Sequence, residues 1–248
     1  MSSSTATTAT WVAGADGFRD GWIVALFQPT TDTTRCRIVD GVDALFDLPE
    51  APAVLGVDMV IGLPDRAKPG GRACDQAARQ LLGHPRGASV FSPPAHAALG
   101  AETYEEALRR TRASGPDAPG LSKQTYHLLP KMRALAEHMT PTRQEHVREV
   151  HPELAFYALN DDAPIADSKH TEDGRATRVD LLATHGFSDV ETTAAYLSGG
   201  GLGADDVLDA HAACWTARRI HQGTAERCPP REDPAPRNDR GLRMEIWR

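Results

Sequence analysis

A chain of 248 residues suffices for one large domain or two small ones, and it buries roughly 70–75 % of the surface its unfolded form exposes. With 40 % hydrophobic and 25 % charged residues, the composition excludes a disordered, fibrous or membrane-embedded protein. Lys and Arg number 27 against 34 Asp and Glu, a net charge of -7, so the whole molecule repels polyanions and any contact with nucleic acid has to be local.

Residues 2–10 are Ser, Thr and Ala with no basic residue and no apolar core, so residues 1–10 are expected to form a disordered tail rather than a signal peptide. No apolar run approaches the ~20 residues of a membrane span, and a cytoplasmic protein is expected. Cys36, Cys74, Cys214 and Cys228 are scattered without a C-x-x-C pair, which signals neither a zinc knuckle nor a disulfide framework.

Residues 11–27 divide into two β-rich runs around a Gly- and Asp-containing turn and predict a hairpin. Residues 36–39 predict a third strand and 42–48 a short helix. Residues 53–63 predict a fourth strand, apolar on both faces as in the middle of a covered sheet. Over 62–145 Pro and Gly punctuate helical patterns at 72–82, 104–113 and 121–139, the last interrupted by Pro130. This insertion holds 12 Lys and Arg against 8 Asp and Glu, a local +4 in a chain that otherwise carries -11, which makes it the phosphate-facing part.

A strand is then expected at 147–150, helices at 153–159 and 175–185, a Gly-rich link at 199–203 and a long helix from Asp205 to about His221. A Pro- and charge-rich loop over 224–240 leads to a terminal edge strand at 242–247. The whole reads as a single α/β domain over 11–248. Gly199-x-Gly201-x-x-Ala204 matches a dinucleotide fingerprint only formally, since residues 191–197 before it do not read as a buried strand.

Several carboxylates fall where burial is costly. Asp58 lies within the predicted strand at 54–61, where an unpaired charge has to be compensated. Asp16 ends a similar run before Gly17, and a turn-capping role is the plainer account of it. On the last helix Asp206 and Asp209 are three apart and share a stripe with Ala210, Ala213 and Ala217, whose small side chains call for close packing on a sheet. Asp205 and Asp206 also suit helix capping, whereas Asp209 lies a full turn inside. Clustered carboxylates without a Cys/His set point to a hard cation, Mg2+ or Mn2+. Two-ion cleavage of a polynucleotide needs such acids from separated elements, holding the ions about 3.5–4 Å apart.

A hairpin-led sheet with an acid on its first strand, another on its fourth and D-x-x-D-A on the last core helix resembles the ribonuclease H-like superfold, particularly its Holliday-junction resolvase branch. The strings G-A-D-G-F-R-D-G-W, V-D-M-V-I-G-L-P, R-A-C-D-Q-A-A-R, S-V-F-S-P-P, S-K-Q, P-K-M-R, E-V-H-P-E, S-K-H-T-x-x-G-x-x-x-R and D-D-V-L-D-A-H-A-A-C-W-T-A occur in order between Trp11 and Trp247. Together they resemble the DUF429 family, described as predicted nucleases of that fold. The resemblance implies an α/β, ribonuclease H-like mixed β-sheet flanked by helices, with a largely helical insertion after the fourth strand. It also implies that Asp16, Asp58, Asp206 and Asp209 hold the metal and carry catalysis, with Glu149 in reserve.

Glu149 and His151 share a strand face, and the string around them supplies either a ligand or water-orienting base, or simply a strand end before a Pro-started helix. In the insertion Arg72, Gln124, Lys131 and Arg133 belong to the family-like strings and are candidates, with His151, for holding substrate; solvated helix faces explain single charges equally. Lys131 follows Pro130 and is therefore expected at a helix kink. The expected function is hydrolysis of phosphodiester bonds in DNA or RNA with carboxylate-held Mg2+ or Mn2+, with no membrane partner; a homodimer is compatible with it. Two other classes stay open. One is a nucleotide-binding phosphotransferase or ATPase of the related actin-like branch, which needs two copies of the fold where one is legible. The other is a binding protein that keeps the fold without chemistry.

Overall fold

The computed structural model describes residues 10–199, 201–231 and 233–248. All but Thr10 of the expected tail lies outside them. Strands β1 (Val12–Phe18) and β2 (Gly21–Gln28) form the expected antiparallel hairpin, and β3 (Thr33–Asp40) pairs antiparallel with β2. After the short helix α1 (Gly41–Phe46), β4 (Val54–Val57) lies parallel to β1, and β5 (Val147–Glu149) parallel to β4. The sheet is therefore mixed, in the order β3-β2-β1-β4-β5, and the fold is α/β.

Strand β4 is shorter than the apolar run predicts. The ladder stops after Val57, and Met59, Val60 and Ile61 stay buried outside any strand. Asp58 consequently stands at the end of the strand and not in its middle, with its N–H bonded to the Ala15 carbonyl at 2.8 Å.

The insertion contributes α2 (Ala73–Leu82), α3 (Tyr104–Ala113) and α4 (Lys123–His138). It is a layer of the same domain, because Leu129, Met132 and Leu135 of α4 share one core with Ala13, Ala15, Val24, Leu26 and Val57 of the sheet. Pro130 does not interrupt α4, which runs through it with Pro130 exposed on the outer side.

On the opposite face lie α5 (Pro152–Leu159), α6 (Glu172–Thr184), α7 (Val190–Leu197) and α8 (Ala204–Gln222). Ala210, Ala213 and Ala217 of α8 pack on Val12, Ile23, Ala25, Phe27 and Val54. The alanine stripe lets α8 approach so closely that a Cβ on Gly14 would lie 2.0 Å from the Cys214 nitrogen and 2.3 Å from the Ala210 oxygen. Helix α7 precedes the Gly-rich link, so that link follows a helix rather than the strand a dinucleotide fingerprint requires.

The expected edge strand over 242–247 is a correction. Of these residues only β7 (Ile246–Trp247) forms a strand, and it pairs with β6 (Arg227–Cys228) in a separate two-stranded ribbon, while Arg243 makes an isolated bridge to Arg237. Glu245 pairs with Arg148 of β5 at 3.1 Å, and that ion pair together with a single bridge from Trp247 to Val150, just past β5, ties this segment to the sheet.

Candidate metal centre

Strand alternation decides which acids meet. On β1 the residues Val12, Gly14 and Asp16 point to the α8 face, and on β4 and just beyond it Val54, Gly56 and Asp58 do the same. The parallel register pairs Ala15 with Val57, so the next residues, Asp16 and Asp58, are neighbours. Asp209 precedes Ala210, whose carbonyl lies over Gly14, and so comes to the same place from above. Carboxylate oxygens of Asp16, Asp58 and Asp209 all lie within 4.8 Å of one another, an arrangement that can hold a metal ion.

Three carboxylates so close, with Asp16 and Asp209 buried and Asp58 partly so, resist ionisation. Burial, then the charges of Asp58 and Asp209, raises the Asp16 pKa well above the usual carboxylate range. Burial and the Asp209 charge push Asp58 up to about 8, and burial pushes Asp209 up to about 6 against the opposing pull of Lys169. The Gly17 N–H donates to Asp16 Oδ1 at 2.7 Å, which fixes that side chain.

Lys169 is the residue that the sequence did not single out. Its Nζ lies 2.6 Å from Asp209 Oδ2 and 3.9 Å from Asp205 Oδ2. Burial disfavours its ammonium, but Asp209, Asp58 and Asp205 outweigh burial and raise its pKa. The family-like string S-K-H-T-x-x-G-x-x-x-R was the available signal. Arg178, fully buried, donates to the carbonyls of Asp167 and Gly174 and to Glu153 Oε1, and Thr171 caps α6 by accepting from the Gly174 N–H.

Glu149 stands apart from the three acids. It is the register partner of Val57, so it points to the face opposite Asp58. There its two oxygens accept from Arg72, whose Nη2 and Nη1 lie at 2.5 and 2.9 Å, and from the Ile61 N–H at 2.7 Å. Arg72 also forks onto Asp75 and is itself buried, so it serves the ion cluster of the core. Burial still leaves the Glu149 pKa at about 7 despite this guanidinium. Asp206 is half-buried and accepts the Gly203 N–H at 2.7 Å as a helix cap, and it is not part of the close group.

Some of the other candidates share a cavity with the acids, and the rest are dispersed. Asp16, Asp58, Arg72, Glu149 and His151 line one cavity of about 130 Å3. His151 faces the Ser89 carbonyl with Nε2 at 3.4 Å, while its Nδ1 is buried without a partner among the described residues. Lys131 Nζ donates to the Gly21 carbonyl at 2.7 Å and stacks on Trp22, with its aliphatic stem against Gly17. Gln124 is exposed in the first turn of α4, and Arg133 holds the carbonyls of Leu99 and Ala101.

The model of the family described as "Protein of unknown function (DUF429)" matches residues 14–234. The chain belongs to that family. The match takes in Asp16, Asp58, Lys169 and Asp209, so the whole close group lies inside the DUF429 region. No curated protein and no solved structure matches the chain. Among the described residues no helix of this DUF429 protein is long and apolar enough to cross a membrane.

Proposed function

We propose that this protein is a divalent-metal-dependent nuclease of ribonuclease H-like fold, in which Asp16, Asp58 and Asp209 hold Mg2+ or Mn2+ for hydrolysis of a phosphodiester. The observation that carries this reading is the convergence of three carboxylates from three separate elements, with oxygens within 4.8 Å. The group contains hard oxygen donors and neither Cys nor His, which suits a hard divalent cation. The residues fit such an ion in charge as well: once ionised, the three carboxylates have the Lys169 ammonium at hand, and a divalent ion balances the two charges that remain. The sheet order β3-β2-β1-β4-β5, with β2 antiparallel between its neighbours, supports the fold assignment.

A bound divalent ion supplies Lewis-acid polarisation of a phosphoryl oxygen and a lowered pKa for an attacking water. The chain's own part is to hold and orient. Gly17 fixes Asp16 through its N–H, and Asp58, whose pKa is raised to about 8, would hold the ion as a carboxylate after losing its proton to solvent. The cavity of about 130 Å3 beside the acids has room for a phosphate group. Exposed Arg66 and Lys68 line an adjoining open cleft of about 540 Å3 that shares Arg72 with that cavity. Asp65 and Asp239 line the same cleft, so it is locally balanced in charge where the molecule as a whole carries -7.

The test is incubation of purified protein with labelled single-stranded, duplex, branched and hybrid nucleic acids in Mn2+, Mg2+ or chelator, beside Asp16→Asn. Cleavage that needs the ion and disappears in the variant is the expected result. Binding of Mn2+ without cleavage of any substrate in the panel overturns the nuclease assignment and leaves a metal centre for a small phosphorylated substrate.

A further inference from the structure

We propose that Lys169 supplies the second cation of this centre, so that Asp16, Asp58 and Asp209 take one divalent ion beside a fixed ammonium instead of a pair of ions. The inference rests on the metal reading above and adds to it a stoichiometry and a charge-balancing residue. Two neighbouring ions need bridging and terminal carboxylates in excess of what one ion needs. Asp209 Oδ2 is already held by Lys169 at 2.6 Å.

Of the carboxylates around the three acids, Glu149 is fully engaged elsewhere and Asp206 is engaged through one oxygen. Both oxygens of Glu149 accept from Arg72, and one of them also accepts from the Ile61 N–H. Asp206 Oδ2 accepts from Gly203, and Asp205 lies 3.9 Å from Lys169 itself. Asp209 Oδ2 is therefore open to a second ion only where the ammonium moves away.

The ammonium is not easily displaced, because its loop is anchored. Buried Arg178 ties the Asp167 carbonyl to the Gly174 carbonyl and to Glu153. The Ser168 carbonyl packs onto the first turn of α6 so closely that a Cβ on Gly174 would come within 2.0 Å of its oxygen. Charge points the same way. The three carboxylates carry -3, which one ammonium and one divalent ion balance; a second ion would leave an excess of +2 in a desolvated site.

Calorimetric and paramagnetic-resonance titration with Mn2+ of the wild-type protein, Lys169→Met and Lys169→Arg, each checked for a cooperative melt, tests the assignment. Wild type and Lys169→Arg are expected to bind one ion, and Lys169→Met two, with the exchange-coupled spectrum of adjacent Mn2+ ions. Two ions in wild type overturn the role of Lys169 and leave the metal centre standing, and this count needs no variant to fold. A single ion in folded Lys169→Met overturns it equally. No Mn2+ bound by wild type overturns the metal reading and this inference with it.

Discussion

Each carboxylate of the centre weakens the ion-free protein, since each is withdrawn from water and faces the other two. Replacing Asp58 by Asn keeps the shape and removes the charge. Above neutral pH in chelator, Asp58→Asn is expected to be more stable than wild type by ~1–3 kcal/mol, a figure kept low because Asp58 is only partly buried. Mn2+ should raise the melting temperature of wild type alone. An Asn variant that melts below wild type in chelator would show Asp58 to be a structural residue. Arg72 makes the opposite case, because it lies among acids that it neutralises. Arg72→Met strands Asp75 and Glu149 in the core without a counter-charge and should cost about 3–5 kcal/mol in urea unfolding. Arg72→Lys should recover little, because an ammonium cannot reproduce the forked contacts to both acids. Loss of less than about 1 kcal/mol in Arg72→Met would return Arg72 to the substrate-holding role expected from the sequence.

At the scale of elements, the centre depends on how closely α8 lies on β1 and β4. Gly14→Ala puts a methyl group into the α8 backbone, 2.0 Å from the Cys214 nitrogen, so the helix has to lift and carry Asp209 away from Asp16. Overpacking of this kind costs about 1–3 kcal/mol or more. The expected outcome is a lowered melting temperature together with weakened Mn2+ binding; a variant with unchanged Mn2+ affinity would show that Asp209 does not depend on this contact. The elements themselves were largely legible. Helix α3 occupies the residues 104–113 expected from its periodicity, behind a Thr103 cap that accepts from the Glu106 N–H. Strand β4 was drawn too long because Met59, Val60 and Ile61 stay buried after the backbone has left the sheet, and apolarity alone does not mark where a ladder ends. The pairing of Asp16 with Asp58 was implicit in the alternation Gly14, Asp16 and Gly56, Asp58, which puts each acid two residues beyond a glycine under α8. Lys169 was not legible in that way, since it meets Asp209 across 40 residues through a loop whose course no periodicity describes.

Across the whole molecule, the raised acids tie folding, pH and metal together. Asp58 at about 8, Glu149 at about 7 and Asp209 at about 6 keep protons in the folded state that the unfolded chain releases near pH ~4. Between those limits the folded state binds more protons than the unfolded one, so stability falls as pH rises from about 4 to about 8 and the penalty is absent below that window. A divalent ion reverses the slope at the centre, because it replaces the protons of Asp16, Asp58 and Asp209 and competes with them less as pH rises. Melting curves of one preparation with chelator and with Mn2+ should therefore diverge with pH. The Mn2+ shift is expected to be small near pH ~5 and to grow toward pH ~8, where an ion at 100 times its Kd adds about 2.7 kcal/mol. In Asp58→Asn the chelator curves should lose the part of their decline that Asp58 contributes and keep that of Asp16, Glu149 and Asp209. Equal Mn2+ shifts at both ends of the range would mean that the acids are already ionised in the ion-free protein.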